Sequence, residues 1–433
     1  MKIAVVVQRY GAEINGGAEL HARYVAEHLS RHAKVDVFTT CARDYITWKN
    51  EYAPGEETIG GVRVVRFPVT QPRDPLVFGR LSSRVFDETH SINDELQWLE
   101  AEGPTSPALV RHVAKSAGAF DWFLFFSYRY YQAFHGARAV PSKAVLVPTA
   151  ERDAAAGVEI FSPVFRGVRG LMYNSFEERA LINAISGNTD VPGTVVGVGS
   201  AIPDNPQGGR FRRKHNVRKP FAIYVGRIDE NKGCSEMFAH FQRYAETHPR
   251  GLDLLLIGNA VMPVPTHPRI RHLGFLPDQD KFDALAAADV LIMPSFFESL
   301  SMVALEAWAL GKPVLVNGRC DVLKGQALRS NGGLYYDTEE EFVEGLYMLE
   351  ALGPVNAALG RNGREYFKRN YEWPVIVRKY LDMFERLGKE PAKPMEPMPG
   401  WFARRRQTLG PSAERVAAVP AGPSLAESRG ARG

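Results

Sequence analysis

Two acidic residues, Glu298 and Glu306, stand eight positions apart near the start of a helix-like segment. Leu300 and Ser301 lie at that start, where serine is a favoured cap and free N–H groups attract phosphate. A carboxylate accepts two hydrogen bonds and therefore holds paired sugar hydroxyls. One glutamate is thus suited to a ribose and the other to a hexose. The alternative interpretation is an ordinary helix cap followed by an unrelated glutamate.

A second pair of candidate residues, Arg227 and Lys232, follows the apolar run 221–226. The run reads as a buried strand, and a helix-like segment comes after Lys232. At the carboxyl edge of a parallel sheet, two cations can converge on one anion. A diphosphate leaving group needs such compensation of its charge. The alternative interpretation is a surface loop that happens to carry two basic residues.

The third candidate element is the glycine pair Gly16 and Gly17, between an apolar run at 3–7 and a helix-like segment. Glycine lets the backbone approach a ligand closely at a helix N-terminus. The spacing is not G-x-G-x-x-G, which counts against a dinucleotide-dependent oxidoreductase. The alternative is a flexible loop that simply leads into the helix.

Short apolar runs alternate with amphipathic segments along most of the chain, which predicts parallel sheets covered by helices. We predict an α/β protein with two doubly wound, Rossmann-like domains at 1–203 and 204–372. The segment 202–216 is rich in Pro, Gly and charged residues, so we predict an interdomain linker and hinge there. Ligands of such sheets bind beyond the carboxyl ends of the strands, so the cleft between the domains is the expected site.

The charge is unevenly distributed. The 433 residues carry a net charge of +4, and the segment after residue 390 holds seven Lys or Arg and three Asp or Glu, so 7 − 3 = +4 lies there. The body is therefore neutral, and no nucleic-acid partner is expected. The basic, proline-rich tail 389–433 is expected to be disordered, either without a role or in contact with anionic lipid.

Other patterns limit the compartment and the chemistry. The three cysteines are far apart, and no metal-ligand spacing occurs. Asp278 and Asp280 form a D-x-D sequence that we interpret as a helix cap rather than a metal site. Apolar runs are too short for a signal peptide or membrane span, so we expect a cytoplasmic protein, either free or at the inner face of the membrane.

Taken together, the segments GGAE (16–19), GR…K (226–232) and the Glu298–Glu306 pair resemble the retaining glycosyltransferases of family 4. The resemblance extends over residues 1–388. It implies the GT-B fold, with a last helix at 373–388 that crosses back to the N-terminal domain. It also implies a nucleotide-diphosphate sugar as donor substrate, without a further cofactor or metal ion.

The resemblance implies roles for individual residues as well. Arg227 and Lys232 would bind the donor diphosphate. Glu306 would bind the nucleotide ribose, and Glu298 would contact the donor sugar. The glycine pair 16–17 would lie against the donor phosphate from the other domain.

One position departs from the family pattern. Many relatives carry a histidine after the N-domain strand that here is 144–148, and this chain has Glu151. Retaining transfer on this fold is usually described as front-face attack, with the leaving phosphate accepting the proton of the acceptor. Glu151 could therefore bind a sugar hydroxyl in place of the histidine, or form a solvated loop with Asp153. Tyr128 and Arg129 could line the acceptor side or pack in the core.

These observations predict a retaining hexosyltransferase-type enzyme that uses a UDP- or GDP-linked sugar. Its acceptor would be a sugar or a lipid-linked sugar in polysaccharide or glycoconjugate assembly. Backbone near 274–276 is expected to read the base. The alternative, from another class, is a catalytically idle scaffold protein that binds nucleotide sugars. The oligomeric state has no signal in the sequence.

Overall fold

The computed structural model describes residues 1–14, 16–392 and 394–395. The strands of a first sheet are β1 (Lys2–Val6), β2 (Lys34–Thr40), β3 (Gly55–Ile59), β4 (Val62–Phe67), β5 (Trp122–Phe126), β6 (Ala144–Val147), β7 (Gly170–Tyr173) and β8 (Gly193–Val195). The helices between them are α1 (Gly17–Leu29), α2 (Pro75–Asp87), α3 (Ile92–Glu102), α4 (Pro107–Lys115), α5 (Tyr131–Ala139), α6 (Ser162–Gly167) and α7 (Phe176–Ser186). We call this part the N-terminal lobe.

The N-terminal sheet has the strand order β3-β4-β2-β1-β5-β6-β7-β8. All neighbours are parallel except β3 and β4. The strands β1, β5 and β6 are almost fully buried, because helices cover both faces of the sheet. Their carboxyl ends meet at one edge, which therefore carries the loops that follow them.

The C-terminal lobe is built in the same way. Its strands are β9 (Phe221–Val225), β10 (Asp253–Ile257), β11 (Ile270–His272), β12 (Val290–Met293), β13 (Val314–Asn317) and β14 (Gly333–Tyr336). Its helices are α8 (Gly208–Lys214), α9 (Cys234–Thr247), α10 (Asp278–Ala287), α11 (Met302–Ala309), α12 (Asp321–Ser330), α13 (Glu339–Ala351) and α14 (Gly353–Asn370). The parallel order is β11-β10-β9-β12-β13-β14, so the topology switches between β9 and β12. A ligand crevice is expected at that switch point.

A last helix, α15 (Trp373–Lys389), returns to the N-terminal lobe, as expected. Its apolar face includes Phe384, whose ring stacks on Trp122 of β5 at 5.9 Å. Lys379 Nζ donates to the carbonyl of Val196, 3.2 Å away and next to β8. A Cβ at Gly170 would lie 2.9 Å from the Met383 side chain, so this glycine permits the close approach of α15 to β7.

The structure corrects two of the sequence predictions and leaves two others untested. The predicted linker 202–216 is wrong in part, because residues 208–214 form α8, whose Arg210 pairs with Asp283 of α10. Asp278 begins α10, but Pro277 occupies the cap position, so the expected aspartate cap is wrong. The tail 389–433 lies largely outside the described residues. The domain boundaries stay predictions, since both lobes belong to one compact unit, Met1–Glu396.

Candidate functional site

The central contact of the site is an ion pair at the switch point of the C-terminal sheet. Lys232 lies in the loop after β9, and Glu298 lies in the loop after β12. Lys232 Nζ and Glu298 Oε1 are 2.9 Å apart. Gly233 has a left-handed φ of 71°, and a Cβ there would lie 2.2 Å from the Pro294 carbonyl oxygen. Glycine is therefore needed to bring the Lys232 loop against the end of β12.

Arg227 lies beside this pair, and its side chain is exposed. Arg227 Nε and Asp229 Oδ2 are 2.7 Å apart, which holds the guanidinium at the edge of the sheet. Burial lowers the pKa of Lys232, and Arg227 also lowers it. Glu298 and Glu151 raise that pKa by more, so it is raised overall. Lys232 therefore remains a cation at neutral pH.

Glu151 reaches this cluster from the N-terminal lobe, in the loop after β6. Its pKa is raised to about 7 overall, chiefly by burial; Glu298 and Asp153 contribute to the rise, and Lys232 and Arg129 oppose it. The backbone leading to it is constrained, since Ser127 and Thr149 both have positive φ, and their hydroxyl oxygens lie 2.8 Å apart. Such backbone conformations are uncommon for these residue types and concentrate at functional sites. The two lobes thus place Glu151, Lys232 and Glu298 together.

A buried carboxylate that the sequence analysis missed anchors the Glu151 loop. Glu178 of α7 is 1 % exposed and accepts hydrogen bonds from the backbone N–H groups of Ala150, at 2.6 Å, and Asn174. Burial raises the pKa of Glu178 to about 8. The S-x-x-E spacing from Ser175 predicts a capping box. Ser175 does cap α7 by accepting from the Glu178 N–H at 3.1 Å, but the Glu178 carboxylate also ties two loops together, which a sequence pattern does not reveal.

A chain of ion pairs fixes the other side of the same loop. Arg129 donates to Asp153 at 2.9 Å and to Glu102 at 2.8 Å. Arg73 also donates to Glu102, at 2.7 Å. Tyr128 is 2 % exposed and packs on aromatic rings, so the core-packing alternative holds for this tyrosine.

Glu306 of α11 occupies a second cluster. Its Oε1 lies 3.1 Å from Lys281 Nζ. Within the described residues, its Oε2 is buried and has no hydrogen-bond partner. Burial raises the pKa of Glu306, although Lys281 opposes the rise. Burial also raises the pKa of Tyr24 on α1, with contributions from Asp278 and Glu306, so α1 faces this cluster across the cleft.

The remaining predicted residues lie at helix starts. Ser301 caps α11 by accepting from the Ala304 N–H at 3.3 Å, and Leu300 is packed in the core with 8 % exposure. Gly16 is the cap residue of α1, and a Cβ there would lie 2.1 Å from a Glu19 carboxylate oxygen. A Cβ on Gly17 would meet no atom within 4 Å, so packing does not require glycine there.

The structure thus brings Arg227, Lys232, Glu298 and Glu151 together, and places Glu306 beside Lys281 and Tyr24. Within the described ranges, no group of three or more His, Cys, Asp or Glu side chains is arranged to hold a metal ion. None of the helices in the part of the chain that the structure describes combines the length and hydropathy needed to span a bilayer.

The raised pKa of Glu151 predicts a pH dependence of stability. A carboxyl group whose pKa is raised by folding favours the folded state below its unfolded pKa of 4.5 and loses that contribution as pH rises to about 7. Glu151→Gln is neutral throughout, so we expect it to gain roughly 2–3 kcal/mol relative to the native chain between pH 5 and pH 8. Urea unfolding at both pH values measures this difference. Parallel pH dependences of the two proteins would contradict the assignment.

Comparison with known proteins adds an independent finding. Residues 219–349 match the family described as glycosyl transferases, group 1. An uncharacterized glycosyltransferase of Methanocaldococcus jannaschii is 23 % identical over 190 residues, which cover 40 % of this chain and 47 % of that protein. The matches to the curated relatives span about a quarter to a half of the length of those proteins.

Two solved structures share the fold. A sucrose-phosphate synthase from Thermosynechococcus elongatus superposes with a TM-score of 0.66 at 18 % identity, covering 89 % of this chain and 99 % of that one. HepE from Anabaena, solved in complex with UDP, gives 0.65 at 15 % identity, covering 89 % and 100 %. The chain therefore has the GT-B fold, and its segment 219–349, which contains the Lys232–Glu298 pair and Glu306, is similar to the group 1 glycosyltransferases.

Proposed function

We propose that this protein is a retaining glycosyltransferase of family 4 that moves a sugar from a nucleotide-diphosphate donor to a sugar or lipid-linked acceptor. One observation carries the proposal. The ends of β9 and β12 present two cations and a carboxylate at the switch point, and the helix after β12 adds Glu306 with a buried, unpartnered oxygen. A buried acceptor of this kind requires a donor such as a sugar hydroxyl.

Arg227 and Lys232 are proposed to bind the donor diphosphate. Arg227 is exposed at the sheet edge, and Lys232 is held in its charged form by neighbouring carboxylates. Cations fixed beside a leaving phosphate stabilise the negative charge that grows as its bond to the sugar breaks. These two side chains supply the compensating positive charge without a metal ion, and no further cofactor is proposed.

The two glutamates are proposed to flank the diphosphate. Glu306 binds the ribose through Oε2, while its Oε1 stays paired with Lys281. Glu298 binds the donor sugar, and Glu151 meets a sugar hydroxyl from the opposite lobe. Gly16, Gly17 and the start of α11 at Leu300 and Ser301 approach the phosphates through the backbone.

The proposed reaction is a front-face displacement. The acceptor hydroxyl oxygen forms a bond to the anomeric carbon while the bond from that carbon to the phosphate oxygen breaks. The acceptor proton passes to the leaving phosphate oxygen. Closure of the lobes would exclude water, which favours transfer over hydrolysis.

UDP-sugars are the first donor candidates, with GDP-sugars next. Solved structures of HepE contain UDP, UDP-glucose, or UDP and glucose, and the fold is shared with HepE. The curated relatives include a lipopolysaccharide core biosynthesis glycosyltransferase of Rhizobium meliloti, 28 % identical over 202 residues. This relative supports an acceptor in polysaccharide or glycoconjugate assembly.

A panel of nucleotide sugars tests the proposal by thermal shift, with and without EDTA. A true donor at about one hundred times its dissociation constant is expected to add roughly 2.7 kcal/mol of stability. The shift should survive EDTA. No stabilisation by any nucleotide sugar would refute the proposal.

The idle scaffold remains the competing function, and one sequence feature favours it: Glu151 stands where the family resemblance implies a histidine. Incubation of the stabilising nucleotide sugar with candidate acceptors, followed by detection of the free nucleotide diphosphate, separates the two functions. Release that rises with an added acceptor supports the transferase. Binding with no release by any acceptor, and with no slow hydrolysis, supports the scaffold.

A further inference from the structure

A cavity of about 590 Å³ opens between the two lobes, beside Glu298. Helix α7 and the loop 150–152 form its N-terminal wall, and α12 with the loop after β12 forms its C-terminal wall. Its apolar lining consists chiefly of Ala180, Leu181, Ala184, Phe296, Phe297 and Leu328. The volume is within the range of cavities that bind small molecules.

Two of the apolar lining residues are unusually exposed. Phe297 is 43 % exposed and Leu328 is 61 % exposed, and they come from different segments of the C-terminal lobe. Covering large apolar side chains with a ligand removes their surface from water, which is favourable and strengthens binding. The cavity is therefore suited to an apolar group.

The charged lining residues already have partners. Arg152 and Asp321 pair at 3.0 Å across the lobes. Glu177 accepts from Arg329 at 2.9 Å, which is a second contact between the lobes. Lys324 pairs with Asp337 at 3.3 Å, and Arg319 pairs with Glu236. The rim thus offers little uncompensated charge to an ionic ligand.

The cavity is continuous with the candidate site but distinct from its nucleotide end. Among the described residues that line it, Glu298 is shared with the site, whereas Arg227, Lys232 and Glu306 do not line it. Ala150 and Arg152, on either side of Glu151, also line it. A molecule in the cavity would therefore meet the sugar end of the site, from the side formed by the acceptor lobe.

We propose that this cavity binds the alkyl or acyl chain of an amphiphilic glycoside, whose sugar is the acceptor and lies at Glu151, next to the donor sugar held by Glu298. The inference rests on the proposed function and specifies its acceptor class. The chain lies between α7 and α12, and the nucleotide lies on the other side of Glu298.

The test compares octyl β-D-glucopyranoside, below its micelle concentration, with methyl β-D-glucopyranoside, by calorimetry in the presence of UDP. Each buried CH₂ group is worth about fourfold in affinity, so we expect the octyl compound to bind at least about tenfold more tightly. Ala184→Trp places an indole in the cavity, in the space proposed for the chain, and should remove most of this gain. Arg179→Trp, on an exposed position of α7 outside the cavity lining, is the matched control and should keep it.

Leu328→Asp provides a second variant, from the opposite wall and at an exposed position that tolerates a polar side chain. It should also lower affinity for the octyl compound. Equal binding of both glucosides to the native protein would overturn the inference. The inference would also be overturned if Ala184→Trp and Leu328→Asp both still bound the octyl compound more tightly than the methyl compound, to the native extent. If Leu76→Asp removed the tighter binding of the octyl compound and these two variants did not, the alkyl chain would bind at the exposed apolar start of α2.

UDP binding, measured separately, distinguishes the failure of this inference from failure of the proposed function. If UDP binds and the octyl gain is absent, only the cavity assignment fails. If neither UDP nor another nucleotide binds to the native protein, the proposed function fails with it. The UDP affinity of Ala184→Trp should equal that of the native protein, because Ala184 lies outside the proposed nucleotide end.

Discussion

Replacing Lys232 with alanine is expected to lower kcat/KM for the sugar donor by roughly two to three orders of magnitude, the range found when one preorganised stabiliser of transition-state charge is removed. The substitution removes one of two cations proposed to meet the diphosphate. It also leaves the Glu298 and Glu151 carboxylates facing each other without the ammonium that lies 2.9 Å from Glu298. Steady-state kinetics with the donor found in the nucleotide-sugar panel measures the effect.

The control for this prediction is Lys368→Ala on α14. It removes an exposed lysine that pairs with Glu365 and is not part of the proposed site. Its kcat/KM should equal that of the native protein. Lys232→Arg should recover part of the lost activity, because it restores the charge with a different shape. A Lys232→Ala variant that is folded by circular dichroism and retains native kcat/KM would contradict the assigned role.

Glu306→Ala is expected to abolish discrimination between ribose and deoxyribose nucleotides. The native protein should bind UDP about ten- to a hundredfold more tightly than 2′-deoxy-UDP, since a hydrogen bond to a charged group is worth roughly 1.5–3 kcal/mol. This expectation follows from Glu306 Oε2, which is buried without a partner, while Oε1 lies 3.1 Å from Lys281. Calorimetry with the two nucleotides and two proteins gives a double-mutant cycle.

In that cycle, the variant should bind both nucleotides with similar, weak affinity. Glu344→Ala on α13, at an exposed position, is the matched control and should retain the native preference. If Glu306→Ala weakens both nucleotides equally and preserves their ratio, Glu306 acts on folding or on another group and the ribose assignment is wrong. If GDP proves to be the ligand, GDP and 2′-deoxy-GDP replace the uridine pair.

Local sequence patterns were informative about the architecture. Buried parallel strands require continuous apolar runs, so the runs at 3–7 and 221–226 marked β1 and β9. Carboxyl ends of parallel strands within one sheet share one edge, so Arg227 and Lys232, which follow β9, could be assigned to that edge of the C-terminal sheet. Helix α8 was missed because its glycines and basic residues show no apolar periodicity; it packs against α10, where Arg210 pairs with Asp283.

By itself, the sequence determined that the chain alternates strands and helices, and that Arg227, Lys232, Glu298 and Glu306 follow strand ends of one sheet. Those features depend on local periodicity and short-range connections. Only the tertiary structure decided which of these groups meet. The Lys232–Glu298 pair spans 66 positions, and Glu151 joins it from the other lobe. Such contacts, like the cavity between α7 and α12, arise from packing of distant segments, because burial and charge pairing depend on neighbours that no local pattern specifies.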